Sequence, residues 1–155
     1  MAIIRNKIRP LTPVSERLVS LIENNAHELT TRLIQELRSH SGTPTYHDYD
    51  EKELYERAFR VYSHLGDWIS FEKAKEEIAD LYMDLGAKRR KEGFFLSEVI
   101  QALILTRRQL WFKVSSEGFL DTILDMYQAM ELSNRVVQFF DRAIFYAALG
   151  YERKI

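Results

Sequence analysis

The sequence predicts an all-α fold: one helical bundle of five or six helices, with long first and last members. Three observations carry this. Apolar residues recur at intervals of three and four, the spacing of one helix face, and no stretch alternates with the period of a strand. Only six glycines and three prolines interrupt 155 residues, and two of the prolines precede residue 14. With 46% apolar and 29% charged side chains, the chain suits one globular domain with a core of its own.

The expected organisation is an N-terminal extension over 1–13, a helical domain over 14–152 and a short end at 153–155. The first helix follows Pro13, whose fixed φ suits a first turn. It runs to about Ser39 with Leu18, Leu21, Ile22, Leu29, Leu33 and Leu37 on one stripe. SHSGTPTYHDY then reads as a loop. Asp50 followed by Glu53 has the form of a capping box for a second helix carrying Leu54, Ala58, Val61, Tyr62, Leu65 and Trp68. Gly66 weakens its end. A third helix, from about Glu72 to Lys91, uses Ala74, Ile78, Leu81, Tyr82 and Leu85. Its KRRK tail lies where the helix dipole favours positive charge, and Gly93 ends it. A fourth, from about Leu96 to Ser115, carries Leu96, Val99, Ile100, Leu103, Leu110 and Trp111, with Ser115, Ser116 and Gly118 as the break. Both Trp68 and Trp111 lie on core stripes and are expected to be largely buried.

The last helix, about Leu120 to Leu149, does not keep one apolar face. Leu120, Leu124 and Tyr127 share one direction, whereas Met130, Val137, Phe140, Ile144 and Ala147 point more than about 90° away. Either the helix breaks near Ser133 and Asn134, or it buries two faces in succession. With the first direction in the monomer core, the second predicts a homodimer interface, because a two-fold contact needs only one self-complementary patch.

Composition narrows the chemistry. Zero cysteines remove disulfides, thiolate catalysis and cysteine-ligated metals. A net charge of −1 provides no field for nucleic acid or an anionic membrane. The basic N-terminus lacks an apolar signal core, and no run approaches a membrane span, so a cytoplasmic location without membrane insertion is expected. His27, His40, His47 and His64 show no metal-ligand spacing, and His64 reads as a partly buried structural residue. No phosphate loop, nucleophile elbow or paired-carboxylate motif is present. A non-enzyme without cofactor or metal is the expectation.

Two positions point beyond a plain bundle. AHELTTRL, residues 26–33, resembles the H-box of sensor histidine kinases, and His27 projects about 150° from the apolar stripe, as a phosphoacceptor must. The proline usual in that box is missing, and no nucleotide-binding domain follows, so a solvated surface histidine is the competing reading. Arg107 falls within about 30° of the mean direction of Leu96, Val99, Leu103 and Val114. A guanidinium there needs an ion pair, an escape along its methylene stem, or a bound anion. Trp111, one turn on, would line the same region, so Arg107 and Trp111 are candidate ligand-binding residues. KRRK with Arg107 and Arg108 offers an acidic partner a contact, although a solvated helix end explains it equally.

HLGDW at 64–68, LGAKRRKEGFFLSEVIQALILTRRQLW at 85–111 and FFDRAIFYAALGYE at 139–152 resemble the RsbRD N-terminal family. The resemblance covers about residues 15–152 and is most specific in EG..LSEV....L..RR.LW. It implies a helical sensory or regulatory domain of the kind placed ahead of the STAS domain in RsbR-type stressosome co-antagonists and ahead of some histidine kinases. STAS-domain or kinase signalling proteins and an unknown small ligand are the partners it implies. It supplies no catalytic residues, and it makes AHELTTRL ordinary amphipathic helix. Chains of this kind continue past GYE into an output domain, whereas this sequence ends at Ile155 with neither a STAS segment nor a kinase core. It is then a solitary input domain or part of a longer protein. A phosphotransfer protein using His27 and a small-ligand or cofactor-binding bundle are the alternatives.

Overall fold

A computed structural model describes residues 11–70, 74–117 and 120–153, and all regular structure among them is helical. Seven α-helices follow one another: α1 Pro13–Asn24, α2 Ala26–Ser39, α3 Glu51–Ser63, α4 Leu65–Ser70, α5 Ala74–Lys91, α6 Leu96–Glu117 and α7 Ile123–Glu152, with a 3-10 turn at Pro44–Asp48 between α2 and α3. The expected start of the third helix at Glu72, the break at Gly118 and most of the N-terminal extension lie outside the described residues. No helix among the described residues is long and apolar enough to cross a membrane.

The count exceeds five or six because two expected helices are interrupted. The first arm breaks at Asn25, whose side-chain amide donates to the Leu21 carbonyl at 2.8 Å and whose own carbonyl starts α2. The second breaks at His64, exposed rather than partly buried, and Gly66 then donates its N–H to Glu23 on α1 at 2.9 Å. Asp50 caps α3 through the Lys52 N–H, but no reciprocal capping box forms. Glu53 is drawn away by cations on α3 and α5.

Gly93 ends α5 at φ +89°, a left-handed turn that glycine adopts without steric cost. Phe94 N–H reaches the Arg89 carbonyl and Gly93 N–H the Arg90 carbonyl, which is a Schellman closure. It seats the Phe94 ring over the side chain of Arg89.

The last helix stays continuous for 30 residues and presents its faces otherwise than expected. Ala129, Leu132, Val136, Phe139, Ala143 and Ala147 follow one another at three and four and form the core side. Leu120, Leu124 and Tyr127, expected inside, are exposed. The five residues expected at a dimer interface straddle the boundary. Phe140 and Ala147 are buried in the monomer, Ile144 is half-buried against the core, and Met130 and Val137 face solvent. The core direction is marked by small alanines and two adjacent phenylalanines, so weighting the larger aliphatic residues rotated the expected face.

α5 and α7 form the most extensive helix pair. Gly86 on α5 and Gly150 on α7 make it possible: a Cβ at Gly86 would collide with the backbone at Ala147 and Tyr151, and one at Gly150 with the backbone of Met83. Arg90 adds a hydrogen bond at 2.8 Å to the Tyr151 carbonyl, and Tyr151 donates to the Phe94 carbonyl at 2.6 Å.

Candidate functional site

The most unusual side chain is Arg89, hidden in KRRK and only 1% exposed. Helical period places it on the same face of α5 as Tyr82 and Leu85, so it points inward while its three basic neighbours do not. Its guanidinium donates to Glu53 Oε1 at 2.9 Å, Glu92 Oε1 at 3.0 Å, and the hydroxyls of Tyr46 and Tyr49 at 3.1 and 3.0 Å. The rings of Tyr46, Tyr49 and Phe94 surround it at 4.8–5.5 Å. The 3-10 turn brings the two tyrosines there, anchored by Thr45 donating through its N–H and hydroxyl to the buried Glu98 at 2.6 and 2.7 Å.

Electrostatics follow this geometry. Burial works to raise the Glu53 carboxyl, but hydrogen bonding and charge from Arg89, then Lys88 and Arg57, outweigh it and bring it down to about 2. Burial, with a smaller push from the charge of Glu53, raises Tyr46 against the opposing pull of Arg89. Tyr49 is raised by burial and by its 2.6 Å hydrogen bond to Glu92. Burial opposes the charge on Arg89, and its contacts with Tyr46 and Glu53 more than restore it. The cluster therefore holds a permanently ionised arginine between neutral tyrosines, an arrangement suited to fixing geometry and not to proton transfer.

Beside this cluster lies a cavity of about 50 Å³ among α2, α3, α5 and α6. Its walls are mainly apolar, including Leu33, Ala58, Val61 and Ala102, with Arg89 and Tyr46 in the lining. On the outer side a groove of about 410 Å³ runs between α3 and α5, bordered by Glu53, Glu56, Arg57, Arg60 and Lys88. Arg57, Val61 and Tyr82 belong to the walls of both.

The residues singled out by sequence lie elsewhere. Arg107 is half-buried and sits with Trp111 at a separate open depression on α6, alongside Arg108 and Phe112. It is not in the middle of the buried face. That face is centred on Ala102, Thr106 and Gln109, small or polar residues that a count of large apolar side chains passes over. Trp111 is correspondingly only half-buried, whereas Trp68 is buried against Phe139 at 5.8 Å. His27 is exposed on α2, with Nδ1 2.7 Å from the Tyr55 hydroxyl. Among the described residues no group of three or more acidic or histidine side chains could hold a metal ion.

Arg89, Tyr46, Tyr49, Gly86 and Gly150 escaped the sequence reading. The available signal was the glycine–arginine pair at 86 and 89 on the core face of one helix, a spacing that puts both against neighbours. No family model, curated protein or solved structure matches the chain.

Proposed function

We propose that the chain is a non-catalytic sensory or regulatory input domain, acting by association with a ligand or protein, of the kind placed ahead of STAS or kinase output domains. The observation that carries this is the double engagement of α5. Tyr82, Leu85 and Arg89 line the internal cavity, while Gly86, on the same helix, meets the backbone of α7 with no side chain between them. A close-packed contact of this kind transmits displacement, because it has little room to absorb it. A change at the cavity then reaches the last turn of α7, where Arg90 holds the carbonyls of Tyr151 and Glu152. The resemblance to the RsbRD N-terminal family supports the same reading.

Self-association fits it as well. Ile123, Tyr127, Met130 and Val137 are exposed at intervals of four, three and seven, with exposed Asn134 between the last two. This is the spacing of a helix–helix seam, and a lone polar residue in such a seam fixes register. The proposed partner of this seam is a second copy of the chain, with STAS-domain or kinase proteins as downstream partners.

Hydrogen exchange tests the relay. Ala102→Leu pushes a larger side chain into the cavity from α6, remote from α7's last turn. The amides of 149–152 are expected to change protection by about threefold or more while α1 stays unchanged. Unaltered exchange at 149–152 in a folded variant would count against the proposal. Acid-labile phosphate gained from an active histidine kinase and lost in His27→Gln would replace it with phosphotransfer.

A further inference from the structure

We propose that the α3–α5 groove and the cavity behind it form one binding site for a small apolar carboxylic acid. Its carboxylate takes donors from Arg57, Arg60 and Tyr82, and its hydrocarbon chain enters the cavity. This deepens the input-domain reading by naming a ligand class, and direct binding decides it separately from the relay.

The two spaces share Arg57, Val61 and Tyr82 as common wall, so a ligand head at those residues stands at the cavity's opening. Tyr82 is the decisive group. It is 2% exposed, yet no hydrogen bond ties its hydroxyl to any described residue. Its ring is buried while its hydroxyl borders the groove, so a bound acceptor there would gain a donor already held in place. Burial raises its pKa and the nearby charges of Arg57 and Arg60 oppose that rise, so at neutral pH it is a protonated donor facing cations.

Charge selects the head group. Arg57 and Arg60 border the groove with Glu53 and Glu56 on the α3 side, and Lys88 on the α5 side. Glu53 is already committed to Arg89 at 2.9 Å and to Lys88 at 2.9 Å, and it takes only the Nε of Arg57, at 3.3 Å. The terminal nitrogens of Arg57 keep their donor capacity. Arg60 has no carboxylate within ion-pairing distance among the described residues and lies over the Trp68 ring at 5.8 Å. The surplus is therefore positive but small, and Glu56 stands by to repel a dianion. A monoanion with two acceptor oxygens fits better than a phosphate. A neutral alcohol or hydrocarbon would leave Arg60 and Tyr82 without an acceptor of matching charge.

The cavity selects the tail. Its apolar walls suit hydrocarbon better than water, and about 50 Å³ accommodates roughly three or four water-sized groups at about 10–15 Å³ each. With the carboxylate in the groove, this corresponds to an acid of about four to eight carbons.

Calorimetry and thermal shift on the full chain test the site with hexanoate, acetate and hexan-1-ol as probes. Hexanoate is expected to bind once per chain and raise Tm, with acetate and hexan-1-ol each about tenfold weaker or worse. Arg60→Gln, at an exposed position, and Tyr82→Phe, which keeps the ring, should each weaken hexanoate about fivefold. Ala102→Leu should abolish the advantage of hexanoate over acetate. No saturable binding by about 10 mM hexanoate, equal binding of hexan-1-ol, or affinity indifferent to both Arg60→Gln and Tyr82→Phe would each overturn the proposal. If hexanoate fails while Ala102→Leu still alters exchange at 149–152, the relay stands without this ligand class. If hexanoate binds and those amides do not respond, the site stands and the relay falls.

Discussion

Replacing Glu53 by glutamine removes a carboxylate that three cations share, and it does so without changing the side chain's shape. In the native protein Arg89 Nη2 lies 2.9 Å from Glu53, Lys88 Nζ 2.9 Å and Arg57 Nε 3.3 Å. The fall of its carboxyl from an ordinary 4.5 to about 2 corresponds, at about 1.4 kcal/mol for each tenfold change, to about 3 kcal/mol of folding free energy. Breaking a buried ion pair from one side gives the same scale, about 3–5 kcal/mol, and Glu92, still 3.0 Å from Arg89, keeps the loss toward the lower end. Glu53→Gln is therefore expected to lower stability by about 3 kcal/mol at pH 7 in urea denaturation. Because the folded pKa is depressed, this contribution is complete above about pH 4.5 and fades as the pH falls toward 2. The gap between wild type and variant must accordingly narrow between about pH 5 and pH 3. A gap under about 1 kcal/mol at pH 7, or one that stays constant with pH, would refute the assignment of Glu53 as the principal counter-charge.

Gly86→Ala and Gly150→Ala each force backbone apart at the α5–α7 contact and should cost about 2–4 kcal/mol in the same assay, whereas Gly42→Ala, whose nearest neighbours are the ring of His40, should be tolerated far better. Phe140→Ala should destabilise the monomer by about 3–5 kcal/mol, since its ring is fully buried between helices. Tyr127→Glu with Met130→Glu, both on the outer side of α7, should instead leave a folded chain that sediments as a monomer where the wild type sediments as a dimer. A monomeric wild type would remove the second copy from the seam.

The helical period was enough to find the elements, because Leu18, Ile22, Leu29, Leu33 and Leu37 mark a face without ambiguity and Gly93 supplies a clear stop. It could not find the interruption at Asn25, where neither glycine nor proline announces a break, and at His64 it gave only the weakening signal of Gly66 two residues on. Orientation failed where the buried side is polar or small. On α6 the core direction belongs to Ala102, Thr106 and Gln109, and on α7 it belongs largely to alanines beside Phe139 and Phe140. Arg89 was illegible for a different reason. Inside KRRK it is chemically identical to a solvated neighbour, and only the approach of Tyr46, Tyr49 and Glu53 from another part of the chain distinguishes it. The groove depends on the same tertiary approach of α3 to α5, which no local spacing encodes.

The α5–α7 contact also bears on the order in which the chain assembles. Arg90 and its acceptor Tyr151 are 61 positions apart, so α5 emerges from the ribosome long before the surface it packs against exists. Closing a flexible loop of that length costs about 4 kcal/mol in chain entropy. α6, spanning 22 residues as a rigid rod, replaces much of the slack in that loop and delivers α7 alongside α5. The α5–α7 contact therefore cannot form before α7 is synthesised, and its loop-closure cost is met only by a bundle whose other helices already pack.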